Sequence, residues 1–480
     1  SITLATGTYY WRVRTVDTTF KRSAWSAEDS FSVTAMFESV WTSTDADGSR
    51  IVSWGDYDGD GDLDLASANG NSTPKRVYRN DGSDVFTLVW TSSDTDNAMD
   101  IDWGDYDGDG DLDMLVGNSA PGGEQNKLYR NDGGDIFTVA WTASVSDVTL
   151  DVSWADYDKD GDLDFIAANE GINRLYRNDG GGVFTSVWTS PQSENSYGFK
   201  WGDIDNDGDM DQIVFNWTQQ NRVYRNDGGD VFTLAWSSTQ TDRSYYGDLG
   251  DYDGDGDLDQ CVVNNNPPGG QANRIYRNDG GNSFTLIWTS TEVKNSVQCQ
   301  WGDYDGDGDL DMLVSNNQNE LNHIYRNDGS DTFSIAWSTT ENENTAGIQF
   351  ADYDNDGDLD FAAGNYAEVN SIYKNNINHT NTAPATPTPT AEADLFGNAT
   401  NTVTLEWSAG SDAETTNPNL LTYDLCIGST SGACDVYGGL FPWAGASPIG
   451  TGFGNAGATT SYSITLATGT YYWRVRTVDT

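Results

Sequence analysis

Asp56 to Asp64 reads DYDGDGDLD, and the chain writes this stretch seven times with small variations. The copies begin at Asp56, Asp105, Asp156, Asp203, Asp251, Asp303 and Asp352, spaced 47 to 52 residues apart. Each places Asp at positions 1, 3, 5, 7 and 9 and Gly at position 6. Five carboxylates in nine residues repel one another unless a cation lies among them, and a hard divalent ion takes roughly six to eight oxygen ligands. Gly at position 6 permits the sharp turn that wraps the backbone around the ion. The candidate side-chain ligands stand at positions 1, 3, 5 and 9. They are Asp56, Asp58, Asp60 and Asp64, then Asp105, Asp107, Asp109 and Asp113, then Asp156, Asp158, Asp160 and Asp164. The next are Asp203, Asp205, Asp207 and Asp211, followed by Asp251, Asp253, Asp255 and Asp259. The last two sets are Asp303, Asp305, Asp307 and Asp311, and Asp352, Asp354, Asp356 and Asp360. Position 7 offers its backbone carbonyl, at Asp62, Asp111, Asp162, Asp209, Asp257, Asp309 and Asp358. The expected cation is calcium, in seven sites.

A helix–loop–helix calcium site needs a Glu at position 12. Ser67, Val116, Ala167, Val214, Val262, Val314 and Ala363 stand there, so no copy supplies that ligand. The residues after each loop (LDMLVGN, LDFIAAN, MDQIVFN) are short apolar runs that read as buried strands. A single acidic turn is often only a solvated turn; seven full copies argue for a ligand.

The elements around the loop repeat with it. A large apolar residue stands two positions before the first Asp (Trp54, Trp103, Trp154, Trp201, Leu249, Trp301, Phe350), and Gly or Ala follows it. After the loop comes the apolar strand, ending in Asn. A third strand reads RVYRND or similar, an Asn-Asp-Gly turn predicts a hairpin, and a VFTLVW-like fourth strand completes the unit. The seventh unit stops after its third strand, at Ile372 to Asn376, while FESVW at Phe37 to Trp41 supplies an unpaired fourth strand near the start. The expected fold class is therefore all-β, a seven-bladed β-propeller with four strands per blade, closed by an N-terminal strand in the last blade. Closure hides sheet edges.

This motif resembles the FG-GAP/VCBS family, the calcium-loop blades of integrin α-subunit propellers and many bacterial surface proteins. The resemblance spans about Phe37 to Asn376 and implies that the loop joins the first two strands of each blade. The literal FG and GAP words are replaced by WGD and apolar-Asn endings. Residues 377–480 resemble a bacterial fibronectin type III domain, through Trp407 and the run from Leu466 to Arg476, with the last strand missing. AWSAEDSFSV, within residues 1–34, is the missing strand. The expected domains are thus 1–34, 35–376 and 377–480, with the β-sandwich split between the first and last.

The first 18 residues, SITLATGTYYWRVRTVDT, recur unchanged as Ser463 to Thr480. This predicts a 462-residue period of a longer tandem array. Net charge is −51, from 75 acidic and 24 basic residues, and nearly half of the acids lie in the seven loops. Such a surface repels nucleic acid and anionic membranes, so neither is an expected partner. No run approaches the roughly 18 apolar residues of a membrane span. Loops of this type suit the calcium levels of an extracellular or cell-surface setting.

Catalysis finds no constellation: the two His, His323 and His379, accompany no nucleophile motif, and no enzyme is expected. His323 stands where other units have Arg, Lys or Ser and is expected on the surface of a strand. Repeated Tyr and Trp are expected in the core, and the Arg of YRND in ion pairs with turn or loop carboxylates. Cys261/Cys299 and Cys426/Cys434 are two candidate disulfides, both left open. Asn-x-Ser/Thr sequences at Asn71, Asn216, Asn378 and Asn398 are expected by chance in so Asn/Thr-rich a chain. The function expected is structural, a calcium-stabilised repeating unit of an extracellular fibre or surface stalk. Its partners are then other copies of itself, in covalent tandem or by strand donation. The alternative is a calcium-dependent adhesin that binds extracellular glycans.

Overall fold

The computed structural model describes residues 7–11, 29–33, 35–377, 385–391, 402–411, 422–428, 461–465 and 472–478. Every regular element among them is a strand, and no helix is long and apolar enough to cross a membrane.

The loop-bearing region folds as four-stranded antiparallel meanders, each running in chain order from strand one to strand four. The first comprises Gly48–Gly55, Asp64–Gly70, Arg76–Asn80 and Phe86–Thr91. Five such sheets stand alone, and two more join into an eight-stranded sheet where Glu170 and Gly171 pair with Asn195 and Glu194. In the last meander, Thr345–Ala351, Asp360–Asn365 and Ser371–Asn375 take Phe37–Thr42 as their fourth strand. Phe37 lies opposite Asn375, and Thr42 opposite Ser371. The N-terminal strand thus completes the last sheet, as the repeat count requires.

The second strand of each unit is buried almost throughout, which is why it reads as a continuous apolar run rather than an alternation. The core lies between neighbouring sheets. Ala66 and Val77 of the first unit pack with Ile101, Trp103 and Met114 of the second, and Trp54 and Leu65 with Tyr353 and Ile372 of the last. The Gly after the inner Trp is needed for this approach: a Cβ on Gly55 would lie 2.7 Å from the Trp103 ring.

Inner strands of successive sheets meet through side chains. Asp100 accepts the N–H of Val152 at 2.8 Å, Asp102 that of Trp154 at 3.1 Å, and Asp248 that of Trp301 at 3.0 Å. Gln298, Gln300 and Gln349 accept those of Ile348, Phe350 and Trp54. These backbone donors would otherwise be buried without a partner.

The Asn that ends the second strand is buried in every unit. In six units its Oδ1 accepts a hydroxyl from the Ser or Thr twenty residues earlier, as in Ser49 to Asn69 at 2.8 Å and Thr149 to Asn169 at 2.7 Å. The second unit has Ala98 there, and Asn118 Oδ1 is buried with no partner. Ala98→Ser restores the missing donor and is expected to stabilise the fold by about 1 kcal/mol. An unchanged or lowered urea midpoint would refute this account of the Asn.

Beyond residue 377, Pro389–Ala391, Thr402–Trp407 and Ser461–Thr465 form one sheet, and Thr422–Gly428 pairs with Tyr472–Val478 in another. Trp407, Tyr423, Leu425 and Val475 are buried. The sequence expectation for Cys434, His379, Asn378 and Asn398 lies outside the described residues.

Candidate metal centres

Each acidic loop sits between the first and second strands of its unit. Oxygens of Asp56, Asp58 and Asp64 lie within 4.8 Å of one another. The same holds for Asp105, Asp107 and Asp113, for Asp156, Asp158 and Asp164, and for Asp203, Asp205 and Asp211. In the fifth loop the gathered set is Asp251, Asp253 and Asp255. Positions 1, 3 and 9 therefore converge in the first four loops.

The backbone holds this shape in all seven copies. The Gly at position 6 donates its N–H to the position-1 carboxylate, from Gly61 to Asp56 at 3.1 Å through Gly357 to Asp352 at 3.0 Å. The N–H of position 7 donates to the position-5 carboxylate, as Asp62 does to Asp60 at 3.0 Å. Position 4 is Gly in four copies and Lys159, Asn206 or Asn355 in the others, and all three of these adopt positive φ. Asn206 and Asn355 hydrogen-bond the position-7 carboxylates of the next loops, Asp257 and Asp62, and Lys159 pairs with Asp209 at 2.8 Å.

Position 9 is buried in every loop. Its Oδ1 accepts the N–H of the hairpin Asn in the same unit, as Asp64 does from Asn80 at 2.8 Å. Burial pushes the carboxyl groups of Asp64 and Asp113 up to about 8 and those of Asp164, Asp259, Asp311 and Asp360 up to about 9. At position 1, burial raises Asp105, Asp203, Asp251, Asp303 and Asp352 to about 6 and Asp156 to about 7.

The donor set fits a calcium ion. Asp56 Oδ1, Asp164 Oδ2, Asp205 Oδ1, Asp305 Oδ1, Asp311 Oδ2, Asp354 Oδ1 and Asp360 Oδ2 are buried and meet no hydrogen-bond donor. An ionised carboxylate only accepts, so such oxygens need a proton or a cation. All the candidate atoms are hard oxygens, which suits calcium over softer metals. The bound ion would supply charge neutralisation and cross-linking of each loop.

Two features of the site escaped the sequence reading. The hairpin Asn also donates from Nδ2 to the loop carbonyl of the preceding unit, Asn131 to Tyr57 at 2.8 Å and Asn80 to Tyr353 at 3.0 Å. All seven copies do this. Each position-9 ligand is thus tied through one Asn to the neighbouring loop. The position-2 Tyr hydroxyls of Tyr57, Tyr157, Tyr252 and Tyr353 donate to Asp135, Asp230, Asp331 and Asp84 in the following hairpin turn. The signal was present: where position 2 is Ile204, the turn residue is Asn282, which instead donates to Asp205 at 3.0 Å.

The YRND arginines pair with turn carboxylates as expected, for example Arg79 with Asp81 and Arg177 with Asp179 and Asp230. Repeated Tyr residues are buried, with Trp rings packed edge-on against them. His323 corrects the sequence expectation: it is buried, 6% exposed, with Nδ1 at 2.7 Å from Ser338 Oγ. Burial holds its imidazole down at about 4, so the ring is neutral, and it packs on Tyr325. Cys261 and Cys299 lie side by side as buried thiols, and the side chain of Cys426 is outside the described residues. Asn216 is fully buried, which removes it as a glycan acceptor.

Comparison with solved structures places a propeller-like fold around these loops. BBS1N in complex with ARL6DN, soaked with lead, aligns with a TM-score of 0.51 at 12% identity over 72% of this chain and 98% of that one. The mercury-soaked crystal of the same complex gives a TM-score of 0.50 over 71% and 97% at 12% identity. An Agrocybe aegerita lectin, described for recognition of non-reducing terminal N-acetylglucosamine, aligns at 20% identity over 61% of this chain and 80% of its own, with a TM-score of 0.44. No curated protein matches the sequence. The FG-GAP-like repeat matches at residues 56–116, 156–214, 203–262, 251–314 and 303–363, more than half of the chain. The chain belongs to the FG-GAP-like repeat family.

Proposed function

We propose that the chain is a calcium-stabilised structural unit of an extracellular fibre or surface stalk, not an enzyme. In this reading the meanders form a closed seven-bladed propeller with one calcium ion per blade. A fibronectin type III-like sandwich, divided between residues 1–34 and 377–480, joins successive units. Closure is supported by contacts between the last and first meanders: Gln349 with the Trp54 N–H, Tyr353 with Asp84, and Asn80 with the Tyr353 carbonyl. Calcium is supported by the converging carboxylates and their partnerless oxygens.

The observation that carries the reading is the double partnering of one segment. GTYYW occurs at Gly7–Trp11 and again at residues 469–473. In the first copy Tyr10 and Trp11 pair with Ser30 and Asp29. In the second, the same two residues, Tyr472 and Trp473, pair with Gly428 and Ile427. One strand with both neighbours makes a three-stranded sheet, which a sandwich needs and which, among the described residues, neither copy has by itself. Joining units through this segment completes the sheet. The test is the mass of native material denatured in chelator and reductant. A species far above 52.3 kDa is expected; a single 52.3 kDa band would refute the covalent array.

A second reading, calcium-dependent glycan binding, is favoured by one cavity of about 220 Å³. Arg50, Tyr197, Tyr245, Gln298 and Tyr366 line it, Tyr197 stacks on Trp217 at 5.0 Å, and the Arg50 guanidinium lies 4.3 Å from the Tyr366 ring. Ring faces beside amides suit a sugar. Saturable glycan-array binding that Tyr197→Ala abolishes would support this reading, and a clean negative would leave the structural one.

A further inference from the structure

The junctions between successive meanders repeat one contact. The third residue of the buried second strand packs against the inner strand of the next unit. At three junctions the facing residues are Ala66 with Ile101, Leu115 with Val152, and Ala362 with Val52, each pair within one hydrophobic cluster. Between the fifth and sixth units the same two positions hold Cys261 and Cys299. The whole chain has four cysteines in 480 residues, and two of them replace aliphatic residues together, at the two sides of one contact. Packing alone does not ask for this, because an Ala–Ile or Leu–Val pair serves elsewhere in the same frame.

We propose that Cys261 and Cys299 form a disulfide that staples the fifth unit to the sixth. The two sulfurs lie 2.6 Å apart, inside ordinary sulfur–sulfur contact, so bonding requires little backbone movement. Both side chains are buried, at 0% and 1% exposure, which denies them to solvent oxidants once the fold is complete. The bond therefore forms during folding. Two S–H bonds break and one S–S bond forms. The two protons and two electrons pass to a disulfide oxidant, which leaves as two thiols. The staple spans 38 residues of chain and adds a covalent link between two sheets that also meet through the Trp301 N–H on Asp248 and the Gln271–Lys294 bridge. This inference does not rest on the function proposed above.

The test unfolds the full chain and refolds it with calcium and oxidised glutathione. The product is then denatured without reductant, alkylated, digested and weighed. The expected product is a peptide pair joined through Cys261 and Cys299, two hydrogens lighter than its parts, with neither sulfur alkylated. Alkylation of both, glutathione left on either, or a link from either to Cys426 or Cys434 overturns the proposal. A second measurement uses Cys261→Ala with Cys299→Ile, which copies the Ala66–Ile101 contact. Reductant is expected to lower the wild-type melting midpoint by about 5 °C and to leave that shift absent from the variant. The same reductant response in both proteins would also overturn the staple.

Discussion

Stripping calcium at pH 8 is expected to lower the melting midpoint by about 10–15 °C, and the same treatment at pH 5 to change it little. With free calcium at about ten times Kd, each site adds roughly 1.4 kcal/mol, and seven sites about 10 kcal/mol, comparable to the whole stability of an ordinary domain. Spread over an unfolding entropy of about 2 cal/mol/K per residue for the loop-bearing region, that is the midpoint shift expected. The pH dependence follows from the raised carboxyl groups. Position-9 groups such as Asp164 and Asp311 reach about 9 in the folded, metal-free chain, against 3.8 when unfolded, chiefly because they are buried. The metal-free folded state thus holds more protons than the unfolded state between about pH 4 and 9, so its stability falls as pH rises through that window. At pH 5 protons already neutralise these oxygens and calcium must displace them, so the ion adds little. At pH 8 calcium replaces a proton that is leaving. Thermal melts with and without chelator at the two pH values decide the matter. Equal midpoints at pH 8, or a larger chelator effect at pH 5, would sink the calcium assignment.

Most of this architecture was legible because the repeat writes it seven times. The buried second strand and the borrowed strand at Phe37–Thr42 both follow from register, and burial and strand pairing place them where expected. What stayed hidden is long-range and polar. Asp100, Asp102 and Asp248 look in sequence like three more acids in a very acidic chain. Only the fold places each against a backbone N–H of the next unit. His323 misled for a related reason. Its counterparts Arg76, Arg174 and Arg222 reach carboxylates such as Asp47, Asp147 and Glu194 with long side chains, and a shorter imidazole at that position stays inside against Ser338. The role of the hairpin Asn was concealed by its turn chemistry, since Asn-Asp-Gly already accounts for an Asn there. Its side chain serves a second purpose, which needs the preceding unit in place to be seen.

A chain lacking residues 1–42 is expected to lose more stability than any single substitution would remove, and to self-associate. The excised strand supplies the fourth edge of the last sheet, and its Phe37 sits in a cage of Tyr304, Trp337 and Phe361 with ring centroids 6.1, 5.0 and 5.4 Å away. Trp41, from the same strand, packs against Tyr78 and Phe86 of the first unit at 5.2 and 5.4 Å. Burying one Phe is worth about 3–5 kcal/mol by truncation, and Trp41 and five lost backbone pairings add to this. Removal also bares the backbone edge of Ser371–Asn375, and an unpaired strand edge is free to pair with another chain. The expected readouts are a midpoint lowered by well over 10 °C in saturating calcium and a shift from monomer to larger species in light scattering. Removing residues 1–34 alone keeps the strand and is expected to leave the loop-bearing region's midpoint in place. If both truncations melt alike, the strand does not close the last sheet, and the pairing of Phe37 with Asn375 contributes nothing to holding the first and last units together.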